Sequence, residues 1–276
     1  MTLFQPKFGS DETPPPTGKV WFVGAGPGDP DLITVKGRKL LEQAGAILYA
    51  GSLVDRTAAQ YAPPDCEISD SKGMTLDKIT DWLREKARRH ALVVRLQTGD
   101  PTLYGALIEM TRPLTADGID WAVVPGVSSA MAAMAAARET MTLPEVAQTV
   151  ILTRTAGRTP MPEGEALESL AAHHCTLCIY LSATLIAEAQ QSLRLAGWRE
   201  DAPMLVVQKA SWPGEEKIVR GTLADIGQKC EAEGIGSQTM IVASPTLGAA
   251  GWESLVHSKL YDPAFAHRFR RAAETP

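Results

Sequence analysis

Gly24-Ala-Gly-Pro-Gly-Asp-Pro-Asp-Leu-Ile-Thr-Val-Lys-Gly37 is the stretch of sequence that decides the fold. It follows the apolar run Val20–Val23 and leads into a segment whose apolar residues recur at helical spacing. Gly45 follows that segment as a helix stop signal. The stretch is therefore predicted to join the end of a strand to the start of a helix.

Short β-rich runs alternate with helical patterns along the chain, which predicts an α/β fold with a largely parallel first sheet. The strands of this first series are predicted at Val20–Val23, Ala46–Ala50, Glu67–Ser69, Ala91–Leu96 and Trp121–Val124. A second series is predicted at Thr149–Leu152, Thr176–Leu181, Met204–Val207 and Thr239–Ala243. The Pro213-Gly214 pair before Lys217–Arg220 indicates an antiparallel hairpin, so the second sheet should be mixed.

The two series of strands predict two α/β domains. The pattern breaks around Leu143-Pro144-Glu145, which places the boundary near residues 140–147. We expect a flexible extension over residues 1–18, an N-terminal domain over 19–142, a C-terminal domain over 143–256 and a tail over 257–276.

The net charge and the hydrophobic pattern limit the partners that the protein can bind and the compartment in which we expect it. The formal net charge of −5 leaves no basic footprint for nucleic acid, and no apolar run is long enough to span a bilayer. The N-terminus lacks the apolar core of a signal peptide, so we expect a cytoplasmic protein that binds neither membranes nor nucleic acids. Cys175-Thr-Leu-Cys178 opens an apolar, β-branched run, which favours two core thiols over a metal site.

The glycine loop departs from the known phosphate-binding patterns. A dinucleotide fingerprint needs a third glycine where this chain has Asp29, and Pro27 removes a backbone donor. No Gly-Lys-Ser/Thr follows, so the loop is not a P-loop either. It is suited to close backbone approach to an uncharged or flat group, and a plain strand-to-helix turn is the alternative.

Two further loops of the same kind follow predicted strands. Thr98–Gly105 and Pro125–Ala130 are rich in glycine, proline and hydroxyl residues. Ligands collect outside the carboxyl ends of strands in open α/β sheets, so the three loops predict one shared cleft. None of the five histidines has the sequence context of a catalytic triad.

Six segments in order resemble the tetrapyrrole (corrin/porphyrin) methyltransferases: GAGPGDPDLITVKG, LYAGSLV, TGDPTLYG, VPGVSSAMAA, ILTRTAGRTP and KASWPGEE. The resemblance covers residues 19–245, and the second, fifth and sixth segments are similar to the branch that methylates precorrin-4 at C11 to give precorrin-5. It implies a homodimer of two α/β domains with S-adenosylmethionine in the cleft between them, leaving as S-adenosylhomocysteine. The alternatives are the cobalt-precorrin-4 version of this step, a uroporphyrinogen methylase, or a non-catalytic tetrapyrrole-binding protein.

The resemblance also implies the cofactor contacts, which fall on Pro27, Gly99, Asp100, Leu103, Ser128, Ser129, Leu181 and Ala210. Many of these contacts would be made by backbone groups, which suits small residues. For Asp100, the alternative is that its carboxylate caps the helix that follows.

A substrate with many carboxylates calls for cations, and Lys72, Arg154 and Arg158 are the candidates, with Tyr49 and Ser52 near the ring. Solvated surface charge is the alternative for each cation. Uroporphyrinogen methylases carry an aspartate where this chain has Ala50-Gly51, so a proton acceptor cannot be carried over from them. Lys72 is the candidate catalytic residue, although an ordinary exposed turn also explains it.

Overall fold

The structure, a computed structural model, describes residues 18–157, 159–180, 185–254 and 258–271. The chain forms two compact units. Of the described residues, those up to Gly26 and from Pro30 to Gly126 make up the first unit. The short segment Pro27–Asp29 groups with the second unit, which otherwise begins at Val127.

The first unit is built on a five-stranded parallel sheet. Its strands are β1 (Lys19–Gly24), β2 (Ala46–Tyr49), β3 (Glu67–Asp70), β4 (Leu92–Gln97) and β5 (Trp121–Val124). They lie in the order β3-β2-β4-β1-β5, with every neighbouring pair parallel. The helices are α1 (Val35–Leu41), α2 (Leu76–Ala87) and α3 (Leu107–Ala116), with 3-10 turns at Pro30–Leu32 and Arg56–Ala59. The predicted strands and the parallel sheet are confirmed.

Side chains of this sheet alternate between two buried clusters, as the pleat of a strand requires. Phe22 and Leu48 pack with residues of α2 and α3 on one face. Val23 and Ile47 pack with Leu41 of α1 on the other. The sheet is therefore covered on both sides, which leaves its strand ends as the places where polar residues collect.

The second unit contains a mixed five-stranded sheet. Its strands are β6 (Val150–Arg154), β7 (Thr176–Tyr180), β8 (Pro203–Gln208), β9 (Lys217–Thr222) and β10 (Thr239–Ala243). The order is β6-β7-β10-β8-β9, and only the pair β6–β7 is parallel. The helices are α4 (Ser129–Ala137), α5 (Leu167–Ala171), α6 (Ile186–Leu195) and α7 (Ile226–Ala232), with 3-10 turns at Ala249–Gly251 and Lys259–Tyr261. The predicted mixed sheet and the β8–β9 hairpin are confirmed.

The packing of α4 decides where the second unit begins. This helix packs on β8 and β10, so it belongs with the second sheet. The hydroxyl of Thr176 donates to the carbonyl of Met141 at 2.7 Å, and that of Thr246 donates to Thr140 at 2.6 Å. The units thus divide at Gly126–Val127, ahead of the change in sequence pattern. The domain limits 19–142 and 143–256 stay a prediction.

No helix within the described ranges is long and apolar enough to cross a membrane. All four cysteines are free thiols, and Cys175, Cys178 and Cys230 are buried. The interpretation of Cys175 and Cys178 as core residues is confirmed. Burial raises the pKa of the Cys178 thiol to about 12, and that of Cys230 to about 11. Both groups therefore stay protonated and unreactive at neutral pH.

We expect Cys178 and Cys230 of the native protein to resist iodoacetamide at neutral pH, because the thiolate is the reactive form and burial suppresses it. Mass spectrometry after timed labelling measures this for each cysteine. The same protein unfolded in urea is the control, and there both should label rapidly. Labelling of native Cys178 at the unfolded rate would contradict the buried β7 position.

Candidate functional site

Three glycines bring three strand-end loops of the first unit into backbone contact. Gly24 ends β1, while Gly99 and Gly126 follow β4 and β5. A Cβ atom on Gly24 would lie 2.5 Å from the Gly99 carbonyl oxygen and 2.6 Å from the Gly126 Cα. A Cβ on Gly126 would overlap the same carbonyl oxygen. This approach is possible only without side chains at Gly24 and Gly126.

The carboxylate of Asp100 locks two of these loops together. One oxygen accepts from the backbone N–H of Thr102 at 2.8 Å and from the Thr102 hydroxyl. The other accepts from the N–H of Gly126 at 3.0 Å. Burial by itself would raise the pKa of Asp100, but these hydrogen bonds outweigh it and the pKa is lowered, so the group is ionised at neutral pH. The helix that follows begins only at Leu107, so Asp100 does not cap it.

In the second unit, Trp212 and Ser211 hold the segment Pro27–Asp29 by hydrogen bonds and ring packing, an arrangement we call the clasp. The indole Nε1–H donates to the carbonyl of Pro27 at 3.0 Å, and Asp29 donates its N–H to the hydroxyl of Ser211 at 3.1 Å. A Cβ atom on Gly28 would overlap the Trp212 ring. The third glycine of the opening stretch is thus explained by an aromatic ring 184 positions further along the chain.

The loop that carries Trp212 is held in an unusual backbone conformation. Lys209 and Ser211 have positive φ angles of 49° and 69° on either side of the buried Ala210. Glu216 accepts from the N–H of Ser211 at 2.6 Å, and Lys209 forms an ion pair with Glu215. Non-glycine residues in this region of φ carry strain, so these polar contacts stabilise the conformation that places Ala210.

Ser128 and Ser129 begin α4 of the second unit. Ser128 is the N-cap residue, and its hydroxyl lies 2.6 Å from the Tyr180 hydroxyl at the end of β7. Ser129 is the first residue of the helix. The next predicted cofactor residue, Leu181, lies outside the described residues. Leu103 is half-buried in the first unit and donates its N–H to the Asp100 carbonyl at 3.2 Å.

A second polar group lies at the carboxyl ends of β2 and β3, where three predicted substrate residues come together. Tyr49 ends β2 and pairs with Asp70 at the end of β3. Asp70 accepts from the N–H of Gly51 at 2.9 Å and from the N–H of Lys72 at 2.8 Å, through the same oxygen. Ser52 and the Lys72 side chain are exposed beside these contacts.

A buried arginine lies under this group. Arg95 of β4 is 5% exposed, and it donates to the Ser71 hydroxyl at 2.9 Å and to the Leu48 carbonyl at 3.3 Å. Burial lowers the pKa of Arg95 to about 10, although the negative charge of Asp70 opposes this. The guanidinium therefore remains positive at neutral pH.

The predicted substrate arginines give a different picture. Arg154, at the end of β6, donates to the carbonyls of Thr159 at 3.1 Å and Pro160 at 2.6 Å. These hydrogen bonds hold the loop that follows β6 against Arg154. Contact of Arg154 with a substrate carboxylate stays a prediction. Arg158 lies outside the described residues.

Sequence reasoning missed Asp70, Arg95 and the clasping role of Trp212. Asp70 could have been found, because it directly follows the predicted strand Glu67–Ser69 at the sheet edge where ligands collect. Trp212 directly precedes the Pro213-Gly214 pair of the predicted turn, and no local signal pairs it with Gly28. Arg95 is a single charged residue within the predicted apolar strand Ala91–Leu96, and the sequence does not show that its side chain is buried.

The charge of the three glycine loops selects the kind of ligand. Residues 24–30, 98–105 and 125–129 contain Asp29 and Asp100 but no lysine or arginine. A diphosphate would find carboxylates and no counter-ion there, whereas a cation such as a sulfonium or an ammonium group would be favoured. Backbone-lined loops with an ionised carboxylate fit S-adenosylmethionine, which carries both cations.

Comparison with known proteins agrees with this chemistry. Residues 19–227 match the family described as Tetrapyrrole (Corrin/Porphyrin) Methylases. Cobalt-precorrin-4 C(11)-methyltransferase of Priestia megaterium is 46% identical over 93% of this chain and 99% of its own length. Precorrin-4 C(11)-methyltransferase of Pseudomonas aeruginosa is 43% identical over 91% of this chain and 98% of its own.

Two solved structures are similar to most of this chain. A cobalt precorrin-4 methyltransferase, described as a cobalamin biosynthetic enzyme, matches with a TM-score of 0.79 and 47% identity, over 82% of this chain and 94% of that one. Uroporphyrin-III C-methyltransferase of Thermus thermophilus, complexed with S-adenosylhomocysteine, matches with a TM-score of 0.69 and 28% identity, over 87% of this chain and 98% of that one.

We expect the substitution Gly28→Ala to destabilise the second unit by about 1–3 kcal/mol, since the new methyl group overlaps the Trp212 ring. Urea unfolding followed by circular dichroism measures the change. Gly251→Ala is the matched control, because a Cβ atom there meets no neighbour within 4 Å. Equal stability of the two variants would contradict the clasp.

Proposed function

The chain belongs to the tetrapyrrole (corrin/porphyrin) methylase family, and on that premise we propose that it is an S-adenosylmethionine-dependent methyltransferase acting on C11 of precorrin-4 to give precorrin-5. The observation that carries the proposal is the contact of Gly24, Gly99 and Gly126, with an ionised carboxylate and no cation in the surrounding loops. The identity of 46% with a cobalt-precorrin-4 C(11)-methyltransferase supports the choice of ring position.

When bound, S-adenosylmethionine supplies an electrophilic methyl group whose bonding electrons stay on sulfur as the S–CH3 bond breaks. We propose that the residues named by the resemblance hold it: Pro27, Gly99, Asp100, Leu103, Ser128, Ser129, Leu181 and Ala210. Asp100 is suited to accept a hydrogen bond from an ammonium or hydroxyl group of this ligand, because the hydrogen bonds from Thr102 and Gly126 keep its carboxylate ionised and in place.

Positioning is the main task that the protein has in such a reaction. Rigid loops bring the nucleophilic ring carbon in line with the methyl group, and effective molarities gained in this way lower a barrier by about 7–11 kcal/mol. Small residues and backbone groups suit this role because little side-chain entropy is lost when the ligand binds. Exclusion of water from the bound cofactor would favour the step in which the sulfonium loses its charge.

Recognition of the macrocycle calls for cations and for groups that lie against a flat ring. Lys72 is exposed next to Tyr49 and Ser52 at one sheet edge of the first unit. Arg154 and Arg158 are the corresponding candidates in the second unit. We propose that these residues bind the carboxylates and the face of the substrate.

The cobalt-precorrin-4 version of the same step is the second candidate, since relatives of 46% and 43% identity carry the two names. A uroporphyrinogen methylase is less favoured, because a solved enzyme of that kind matches at 28% identity. A non-catalytic tetrapyrrole-binding protein would transfer no methyl group. Product analysis with and without cobalt separates all four.

The state of assembly and the compartment are part of the proposal. The resemblance to tetrapyrrole methylases implies a homodimer, and the acidic composition is compatible with the cytoplasm. Light scattering of the purified protein tests the dimer, which should give twice the mass of one chain.

We expect the purified protein to transfer one labelled methyl group from S-adenosylmethionine to precorrin-4, giving a product 14 mass units heavier, as one hydrogen is replaced by one methyl group. Mass spectrometry and NMR would identify the product as methylated at C11. Uroporphyrinogen III is the control substrate and should accept no label. Binding of precorrin-4 without any transfer would contradict the proposal and favour the carrier.

A further inference from the structure

The space above Gly51 is filled by the carboxylate of Asp70. A Cβ atom on Gly51 would overlap both oxygens of Asp70, so no side chain fits at this position. Ala50 and Gly51 directly follow β2, and another element supplies the polar group at this place. That group comes from the end of β3, the neighbouring parallel strand.

The two oxygens of Asp70 have different surroundings. Oδ1 accepts both backbone hydrogen bonds, from Gly51 and from Lys72. Among the described residues, no donor is hydrogen-bonded to Oδ2. Asp70 is half-buried, so one oxygen anchors the side chain while the other is available to a ligand at the sheet edge.

The groups packed around Asp70 favour a carboxylate in this place. Arg95 of β4 contributes a buried positive charge, linked through the Ser71 hydroxyl to the carbonyl of Tyr49 at 3.1 Å. The Lys72 ammonium adds a second cation on the turn that follows β3. Tyr49 and Ser52 complete the rim, and both are predicted substrate residues.

We propose that Asp70 is a catalytic residue that accepts a proton from the macrocycle during methyl transfer. This role rests on the proposed function, and it supplies the proton acceptor that could not be carried over from uroporphyrinogen methylases. Asp100 is unsuited because protonation of its carboxylate would weaken the hydrogen bonds to Thr102 and Gly126 that hold its loops together.

The proton balance of the reaction requires such a group. As the new C–CH3 bond forms, the S–CH3 electron pair stays on sulfur, the sulfonium becomes a neutral thioether and its positive charge passes to the macrocycle. The macrocycle regains neutrality by losing one proton, whose bonding electrons remain in the ring system. Oδ2 of Asp70 takes this proton and later releases it to water.

The test begins with Asp70→Asn, which keeps an oxygen acceptor for Gly51 and Lys72 but is not a base. We expect kcat for methyl transfer to fall at least ~100-fold, the usual contribution of general base catalysis. Affinity for S-adenosylmethionine, measured by calorimetry, should stay within about twofold of wild type, as should the KM for precorrin-4. Asp65→Asn, an exposed aspartate five positions earlier, is the matched control and should behave as wild type.

Chemical rescue of Asp70→Ala separates a base from a structural anchor. Formate should restore transfer at least tenfold, because it is a carboxylate small enough for the space vacated beside Gly51. Nitrate has similar shape and charge but is a far weaker base, so it should restore nothing. Circular dichroism checks that the variant is folded, and Asp70→Asn carries the test by itself should it not be.

Three outcomes would overturn this role. Wild-type kcat in Asp70→Asn would show that no proton passes to this residue. Equal rescue by nitrate and formate would assign it a purely electrostatic or anchoring role. Absence of transfer by the wild-type protein would refute the proposed function itself, which distinguishes that failure from a failure of Asp70 alone.

Discussion

The arrangement of the loops that follow β1, β4 and β5 depends on one constraint, the close backbone contact of Gly24, Gly99 and Gly126. Each glycine lies at the carboxyl end of a parallel strand, and a side chain at Gly24 or Gly126 would force the loops apart. Asp100 can hydrogen-bond to Gly126 only because the loops are this close. The glycine contact therefore leaves no room for side chains at Gly24 and Gly126. The Asp100 carboxylate that stabilises this contact would repel a diphosphate.

Local pattern in the sequence was sufficient for the framework of the fold. Apolar, β-branched runs such as Trp121–Val124 and Thr239–Ala243 form strands with the predicted bounds, because burial of one or both faces dictates their composition. Strand-end loops rich in glycine and proline likewise mark the polar edge of the first sheet. The grouping of α4 with the second unit was not predictable, since it depends on packing against β8 and β10 rather than on the helix's own residues.

Long-range pairing accounts for what the sequence could not provide at the site. Trp212 and Gly28, or Asp70 and Gly51, are complementary only after folding, and neither partner carries a local signal for the other. In both pairs a glycine leaves room for a side chain from elsewhere. The two carboxylates differ in their hydrogen bonds. Both oxygens of Asp100 accept hydrogen bonds that hold loops together. Only one oxygen of Asp70 accepts such bonds, and we propose that the other accepts the proton.

Calorimetric titration of a folded Gly126→Ala variant with S-adenosylmethionine tests the central claim most directly. The added methyl group must displace the Gly99 carbonyl and with it the Asp100 carboxylate. Affinity should therefore fall at least ~100-fold, equal to about 2.7 kcal/mol, while circular dichroism shows the secondary structure retained. Wild-type affinity in that variant would contradict the account, because the methyl donor would then bind without the contact of the three glycine loops.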